Sequence, residues 1–382
     1  MIKHKLRLII AIICIAMLLP ANAQAAPRLN SQYYCVVDRE TGQLILGKND
    51  TVKRPMASTT KMMTAILAVE YAGLDETAAV SKNADRTPEY TIGLRGGQQI
   101  TVGELLKVAL IRSANDAAVV LAEYVAGDEQ FFAYLMSKKA VLIGAANTRF
   151  QNASGLPAEN HYSTAYDLAQ IGRYALSKPY IEQMVATAST DFKHPGYQQS
   201  LTISNTNSGL LNSYPGADGI KTGTTDAAGK CLVASATRKD RGLIAVVLKS
   251  GDRQGDTIKL LNYGFLETKR QKVVDQEEVF KNLAVNNSDE SPAAVVPAED
   301  LWLWVGDRTD TIEKRVWLNY NLDAPVKKGQ VLGEMDIYMG GHMVKSVALV
   351  SQKDINKKAW FVQRIIKHLI SLTEGNKASC KE

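Results

Sequence analysis

The chain has 382 residues, 46% of them hydrophobic and 22% charged, which suits a globular protein with a real core and roughly two domains. Its formal net charge is +6, and Lys3, Lys5 and Arg7 near the start supply three of those charges. The remainder is too mildly basic to argue for a nucleic-acid partner. The four cysteines have neither metal-ligand spacing nor the pattern of a disulfide framework, and no cofactor is expected.

Lys3, Lys5 and Arg7 precede an apolar run over 8–19 that is too short to span a membrane comfortably. Pro20 breaks the run, and Ala23-Gln24-Ala25 offers small residues for cleavage. Residues 1–25 therefore read as a secretory signal peptide, with an uncleaved anchor as the alternative. Cys14 follows Ile13, which argues against a lipoprotein signal. In an exported chain Cys35 and Cys231 can be buried free thiols or a bridge, and both readings stay open.

Two strands around Arg39-Glu40-Thr41-Gly42 come next, spanning 33–38 and 43–46. The spacing of Met62, Ala65, Ile66 and Val69 predicts a helix over 58–69, stopped by Gly73. Residues 102–125 read as helical, interrupted by Ser113-Ala114-Asn115. Ser163 to Asp167 looks like a helix cap before 168–176. Turn signals alternate with β-rich runs over 216–251, predicting successive antiparallel strands. Residues 27–266 thus read as an α+β domain, a helical cluster on an antiparallel sheet built from both of its ends. Helix signals then fade, and 267–353 read as a small all-β domain. In the tail, Phe361, Val362, Ile365, Ile366, Leu369 and Ile370 share one face of a helix over 356–373, opposite Gln363, Arg364, Lys367, His368 and Ser371. Such a basic amphipathic helix suits a membrane surface, with a helix packed on the β domain as the alternative.

Three short motifs carry the chemistry. Ser58 and Lys61 are three apart on a predicted helix, so their side chains share a face. Ser58 needs a base to become a nucleophile, and Lys61 can serve only if neutral, which burial and a nearby Lys221 would favour. Ser113 can shuttle a proton between base and leaving nitrogen, while the Asn115 amide can grip a substrate carbonyl and hold Lys61. Lys221-Thr222-Gly223 falls at the start of a strand: the glycine lets a substrate backbone pair with the strand edge, and lysine and threonine can bind a carboxylate. The N–H of Thr224, with that of Ser58, could form an oxyanion hole. Taken singly the motifs are weak: Ser81-Lys82-Asn83 matches the second pattern, reads as a polar loop, and is attributed to chance.

The ordered triple resembles the penicillin-recognising serine enzymes. It is closest to the serine-type D-alanyl-D-alanine carboxypeptidases, the low-molecular-mass penicillin-binding proteins. The similarity rests on the stretches 55–64 and 216–225, His161 to Leu168, the β domain with Ala324 to Gln330, and the basic tail, so it covers nearly the whole chain after the signal. It implies a β-lactamase/transpeptidase-like fold in the first domain. It also implies removal of the terminal D-alanine from peptidoglycan stem pentapeptides through a Ser58 acyl-enzyme, with β-lactams acylating the same serine. The implied location is the outer face of the cytoplasmic membrane. Some family members carry an arginine before the third motif; here Asn205-Thr206-Asn207 stands there, so carboxylate binding would rest on Lys221, Thr222 and Thr224. No Glu-x-x-Leu-Asn segment lies between the second and third motifs, which implies that penicillin stays bound. An endopeptidase or transpeptidase, a β-lactamase, and an inactive wall-binding protein are the alternatives.

Overall fold

The computed structural model describes residues 26–288, 292–306, 312–358 and 365–366. The expected signal peptide lies outside these residues, as does the tail helix apart from Ile365 and Ile366. The described chain divides into two compact units, one ending at Thr268 and one beginning at Lys269.

In the first unit, strands β1 (Tyr33–Asp38) and β2 (Leu44–Lys48) lead to a 3-10 turn, Ala57–Thr60, and helix α1 (Lys61–Tyr71). The small ladder β3 (Thr77–Ala79) and β4 (Gln99–Thr101) encloses α2 (Lys82–Asp85). Helices α3 (Val102–Leu110), α4 (Asn115–Ala126), α5 (Glu129–Leu142), α6 (Ala165–Leu176) and α7 (Pro179–Ala186) follow. After the hairpin β5 (Ser189–Phe192) and β6 (Leu201–Ser204) come α8 (Ser208–Ser213), β7 (Ala217–Thr225), β8 (Gly229–Arg238), β9 (Arg241–Ser250) and α9 (Arg253–Leu266).

The main sheet runs β2-β1-β9-β8-β7, every pair antiparallel, so the chain's early and late strands meet at β1 and β9. Alternation of side chains across the pleat splits its apolar runs between two cores. Val233, Ile244, Val246 and Leu248 join the helical cluster on one face. Leu232, Ala234, Leu243, Ala245 and Val247 pack with Leu260 and Leu261 of α9 on the other. Gly172 of α6 allows close approach to the sheet: a Cβ there would lie 3.0 Å from Ile220 and 3.2 Å from Val233.

The helices start where their capping residues stand. Thr101, Asp128 and Thr164 accept hydrogen bonds from the backbone N–H groups of Glu104, Phe131 and Asp167. Two expectations need correction. The helix predicted over 58–69 opens as a 3-10 turn, because the hydroxyls of Thr59 and Thr60 donate back to the carbonyls of Met56 and Ala57 instead of capping a helix. Ser81 is not in a plain loop: its Oγ accepts from Ala84 N and caps α2, which makes it a structural serine.

The second unit is all β. Strands β10 (Lys269–Val274), β11 (Lys281–Leu283), β12 (Ala293–Pro297), β13 (Leu301–Val305), β14 (Ile312–Leu318), β15 (Val331–Met339) and β16 (His342–Ser351) form a pair, β10-β13, and a five-stranded sheet, β11-β12-β16-β15-β14. Their apolar positions fill one core containing Val295, Leu303, Ile337, Val347 and Leu349.

Candidate functional site

The site forms where the 3-10 turn, the start of α4, strand β7 and the turn at 152–156 converge. Ser58 sits in the 3-10 turn and Lys61 at the first position of α1. That spacing brings Lys61 Nζ to 3.1 Å from Ser58 Oγ. The lysine is fully buried. Its Nζ also donates to Asn115 Oδ1 at 2.6 Å and to the carbonyl of Ser154 at 2.7 Å. Among the described residues no carboxylate forms an ion pair with it. Burial, and after it the neighbouring Lys221 cation, hold the Lys61 amine well below the usual lysine range, with Asp116 opposing them.

Asn115 opens α4, and its amide nitrogen donates to the carbonyls of Pro88 and Glu89, which fixes the amide orientation. Ser113, two residues earlier, lies in the left-handed region at φ 69° and is buried. Its hydroxyl has no hydrogen-bond partner among the described residues, so neither lysine holds it. Asp116 stiffens the adjacent loop by accepting from the N–H groups of Ile92, Gly93 and Leu94.

Two glycines let separate elements reach the nucleophile turn. A Cβ on Gly223 would lie 3.0 Å from both Met56 O and Ser58 N, so β7 comes this close only because that position has no side chain. Gly155, at φ 90°, would carry a Cβ 2.0 Å from Ala57 O. Its turn is tied down further: Ala153 N donates to Glu129 Oε1, Thr64 Oγ1 donates to Ala153 O, and Gly155 N donates to Asn152 Oδ1. The carbonyl of Ser154 is thereby aimed at Lys61. It is a backbone group, and no side-chain motif announces it.

Lys221 is also buried, and among the described residues its amine makes one hydrogen bond, to Thr222 O at 3.4 Å. Burial, and then Arg253, push its amine down to about 7. Thr222 Oγ1 bonds Thr206 Oγ1, and Asn207 Nδ2 donates to Gly219 O. The 205–207 segment therefore braces β7 without supplying a cation. An arginine does reach the third motif, from the opposite direction in sequence. Arg253, at the first position of α9, donates through Nη1 to Thr224 Oγ1 at 2.9 Å and to Gly223 O at 3.2 Å. The expectation from the sequence named only Lys221, Thr222 and Thr224 there; the structure places Arg253 beside Thr224. A helix start directly after β9 was the available signal.

His161 backs the nucleophile turn. Its Nδ1 accepts from Gln151 N, so the proton is on Nε2, which donates to Thr60 Oγ1 at 2.8 Å. Thr60 in turn bonds the carbonyl of Ala57, a residue at φ 49°. Burial lowers the His161 ring to about 4, so it stays neutral. Cys35 and Cys231 are free buried thiols in this structure. Among the described residues no group of His, Cys, Asp and Glu could hold a metal ion, and no helix is long and apolar enough to cross a membrane.

Comparison with known proteins matches this arrangement. The family described as D-alanyl-D-alanine carboxypeptidase matches residues 20–251, and the C-terminal domain of penicillin-binding protein 5 matches 269–357. The D-alanyl-D-alanine carboxypeptidase DacF of Bacillus subtilis is 31% identical over 86% of this chain and 86% of its own. DacC of Escherichia coli is 31% identical over 88% of this chain and 87% of its own. Among solved structures, the D-alanyl-D-alanine carboxypeptidase DacD from Francisella tularensis superposes with a TM-score of 0.71 at 25% identity, covering 90% of this chain and 98% of that one. Penicillin-binding protein 5 from Haemophilus influenzae gives 0.67 at 27% identity, covering 87% and 99%.

Proposed function

The chain belongs to the D-alanyl-D-alanine carboxypeptidase family, serine peptidases that act on peptidoglycan, and from that premise we propose that Ser58 is its nucleophile and Lys61 the base. The enzyme is a serine-type D-Ala-D-Ala carboxypeptidase, and β-lactams fit it as inhibitors.

The observation that carries the assignment is the coordination of Lys61. A neutral amine has two N–H bonds and one lone pair. The two short bonds, to Asn115 Oδ1 and Ser154 O, use both hydrogens. The lone pair is left to accept from Ser58 Oγ, the third group in contact. Ser58 Oγ then attacks the carbonyl carbon of the peptide bond between the last two D-alanines, and its proton passes to Lys61 Nζ. The C–N bond breaks as the departing amine takes up a proton, with Ser113 as the carrier on the free-hydroxyl side of the site. Asn115 holds Lys61 through Oδ1, and its Nδ2 positions the substrate carbonyl by exchanging its bond to Pro88 O or Glu89 O for one to the substrate. The N–H groups of Ser58 and Thr224 receive the developing oxyanion. Lys221, Thr222 and Thr224 bind the terminal carboxylate, with Arg253 adding charge beside Thr224, and Gly223 lets the substrate lie along the edge strand β7. Water then attacks the acyl carbon, releasing the shortened stem and restoring Ser58. Among the described residues no carboxylate bonds Ser58 or Lys61, which supports a long-lived penicilloyl adduct.

The substrate places the enzyme outside the cytoplasm, with residues 1–25 as the export signal. The tail over 356–373 holds it on the membrane surface through the apolar face that its sequence defines; Ile365 and Ile366 of that face are helical and 45% and 50% exposed.

Intact mass after exposure to benzylpenicillin tests the core of this reading. One stable adduct on the wild type and none on Ser58→Ala is expected. Hydrolysed drug without an adduct would make the protein a β-lactamase, and intact drug without an adduct would make the site inactive. For the tail, removal of 356–382 should move the protein from the membrane pellet to the soluble fraction; unchanged sedimentation would end the anchor reading.

A further inference from the structure

The segment that aims Ser154 at Lys61 continues from the wall of a cavity. Just before the turn at 152–156, Arg149, Phe150 and Gln151, together with Tyr162, line a cavity of about 680 Å³ that Tyr134 and Lys138 of α5 also line. None of its lining residues is acidic. Lys138 Nζ lies 5.1 Å from the centre of the Tyr134 ring. Lys53 reaches the other aromatic wall, with Nζ 4.7 Å from the centre of the Tyr162 ring and 3.5 Å from its hydroxyl. Lys53, Lys138 and Arg149 are all exposed, and among the described residues none of them enters an ion pair. The adjacent Lys139 shows the contrast, since it pairs with Glu70 at 2.8 Å. Three like charges around one groove repel one another, and an anionic ligand would relieve that repulsion. The rings add flat apolar faces beside hydrogen-bonding amides and hydroxyls, a combination suited to sugar rings as well as carboxylates.

We propose that this groove is a second docking site for the polymeric substrate, taking a carboxylate-bearing, sugar-linked strand of peptidoglycan. The inference rests on the carboxypeptidase reading. It deepens that reading by separating polymer capture from recognition of the D-Ala-D-Ala end. Gln151 joins the two: it lines the groove, and its N–H donates to His161, which holds Thr60 of the nucleophile turn.

The test uses the mature chain and three probes: purified sacculi, sacculi with their carboxylates amidated, and a short N-acylated peptide ending in D-Ala-D-Ala. In the double variant Lys138→Glu/Arg149→Glu, binding to native sacculi should fall by about tenfold, and D-alanine release from them should fall through KM. Turnover of the short peptide should stay within about twofold, since neither side chain reaches the serine site. Wild-type binding should weaken on amidated sacculi and at raised salt. Lys53→Gln/Lys138→Gln, confined to exposed side chains, should show the same pattern more weakly and covers the case of a misfolded first variant. Undiminished binding of native sacculi by both variants, or of amidated sacculi by the wild type, overturns the proposal. Failure of the wild type on the short peptide would instead bring down the reading of the serine site, and sacculus binding would still judge the groove.

Discussion

The two units differ in what they bury. The first encloses Lys61, Asp116, His161, Asp167, Lys221 and Asp256, whereas among the described residues of the second only Ser351 joins the apolar interior. Most of the first unit's buried charges are satisfied. Asp256 accepts from the N–H groups of Asn30 and Ser31 and from Ser250 Oγ, and Asp116 from three successive N–H groups. The two lysines are the exceptions, since among the described residues neither has a carboxylate partner. Burying an unpaired cation is costly, and the usual response is loss of the proton. A fold seeking only stability would exclude such groups, as the second unit does. Buried cations without a carboxylate partner cluster at functional sites, which is why these two lysines single out the first unit.

The sharpest way to break this comparison is Ser58→Ala. It should lower D-alanine release by about 10⁴-fold or more while leaving the fold intact, measured as kcat/KM beside a thermal melt. Retained activity would make the buried lysines structural.

Gly155→Ala comes next. Its Cβ would meet Ala57 O at 2.0 Å, so a loss of roughly 3 kcal/mol or more is expected from denaturant unfolding, with lower acylation because Ser154 O moves. In the second unit, Ile337→Ala should cost about 2–4 kcal/mol by leaving a cavity, with short-peptide turnover unchanged within about twofold. A fall in turnover there would mean that the β unit supports the chemistry.

Smaller effects follow from titration. His161 is held to about 4 in the folded protein, below its ordinary 6.5, so the unfolded chain binds more protons between those values. Stability should therefore fall as pH drops from about 6.5 to about 4, by up to roughly 3 kcal/mol, and His161→Gln should flatten that slope. Lys221, held to about 7, should lose its charge as pH rises through neutrality. KM for a substrate with a free terminal carboxylate should then rise above about pH 7, by severalfold at most because Arg253 remains charged. A substrate with an esterified carboxyl should lack that limb; an identical limb would remove Lys221 from carboxylate binding.

Much of the fold was legible in the chain. The run in β8 and β9 is apolar on both faces, and a strand with helices on both sides requires that. The pairing of Ser58 with Lys61 was legible because three residues make nearly one helical turn, and the structure keeps them close even though that turn is 3-10. What stayed hidden lies between residues far apart in the chain. Arg253 meets Thr224 because β8 and β9 fold back beside β7, and His161 meets Thr60 across 101 positions. Ser154 acts through a carbonyl, which every residue possesses and which side-chain patterns cannot single out.

The order of the three motifs, the reactive residue types and the alternation that builds the sheet were determined by the sequence alone, because covalent spacing sets which side chains share a face. Only the tertiary structure decided that burial and Lys221 hold the Lys61 amine well below the usual lysine range, that Ser113 Oγ has no hydrogen-bond partner among the described residues, and that Arg253 reaches Thr224. Those properties depend on burial and on distances between remote segments, and packing alone sets both.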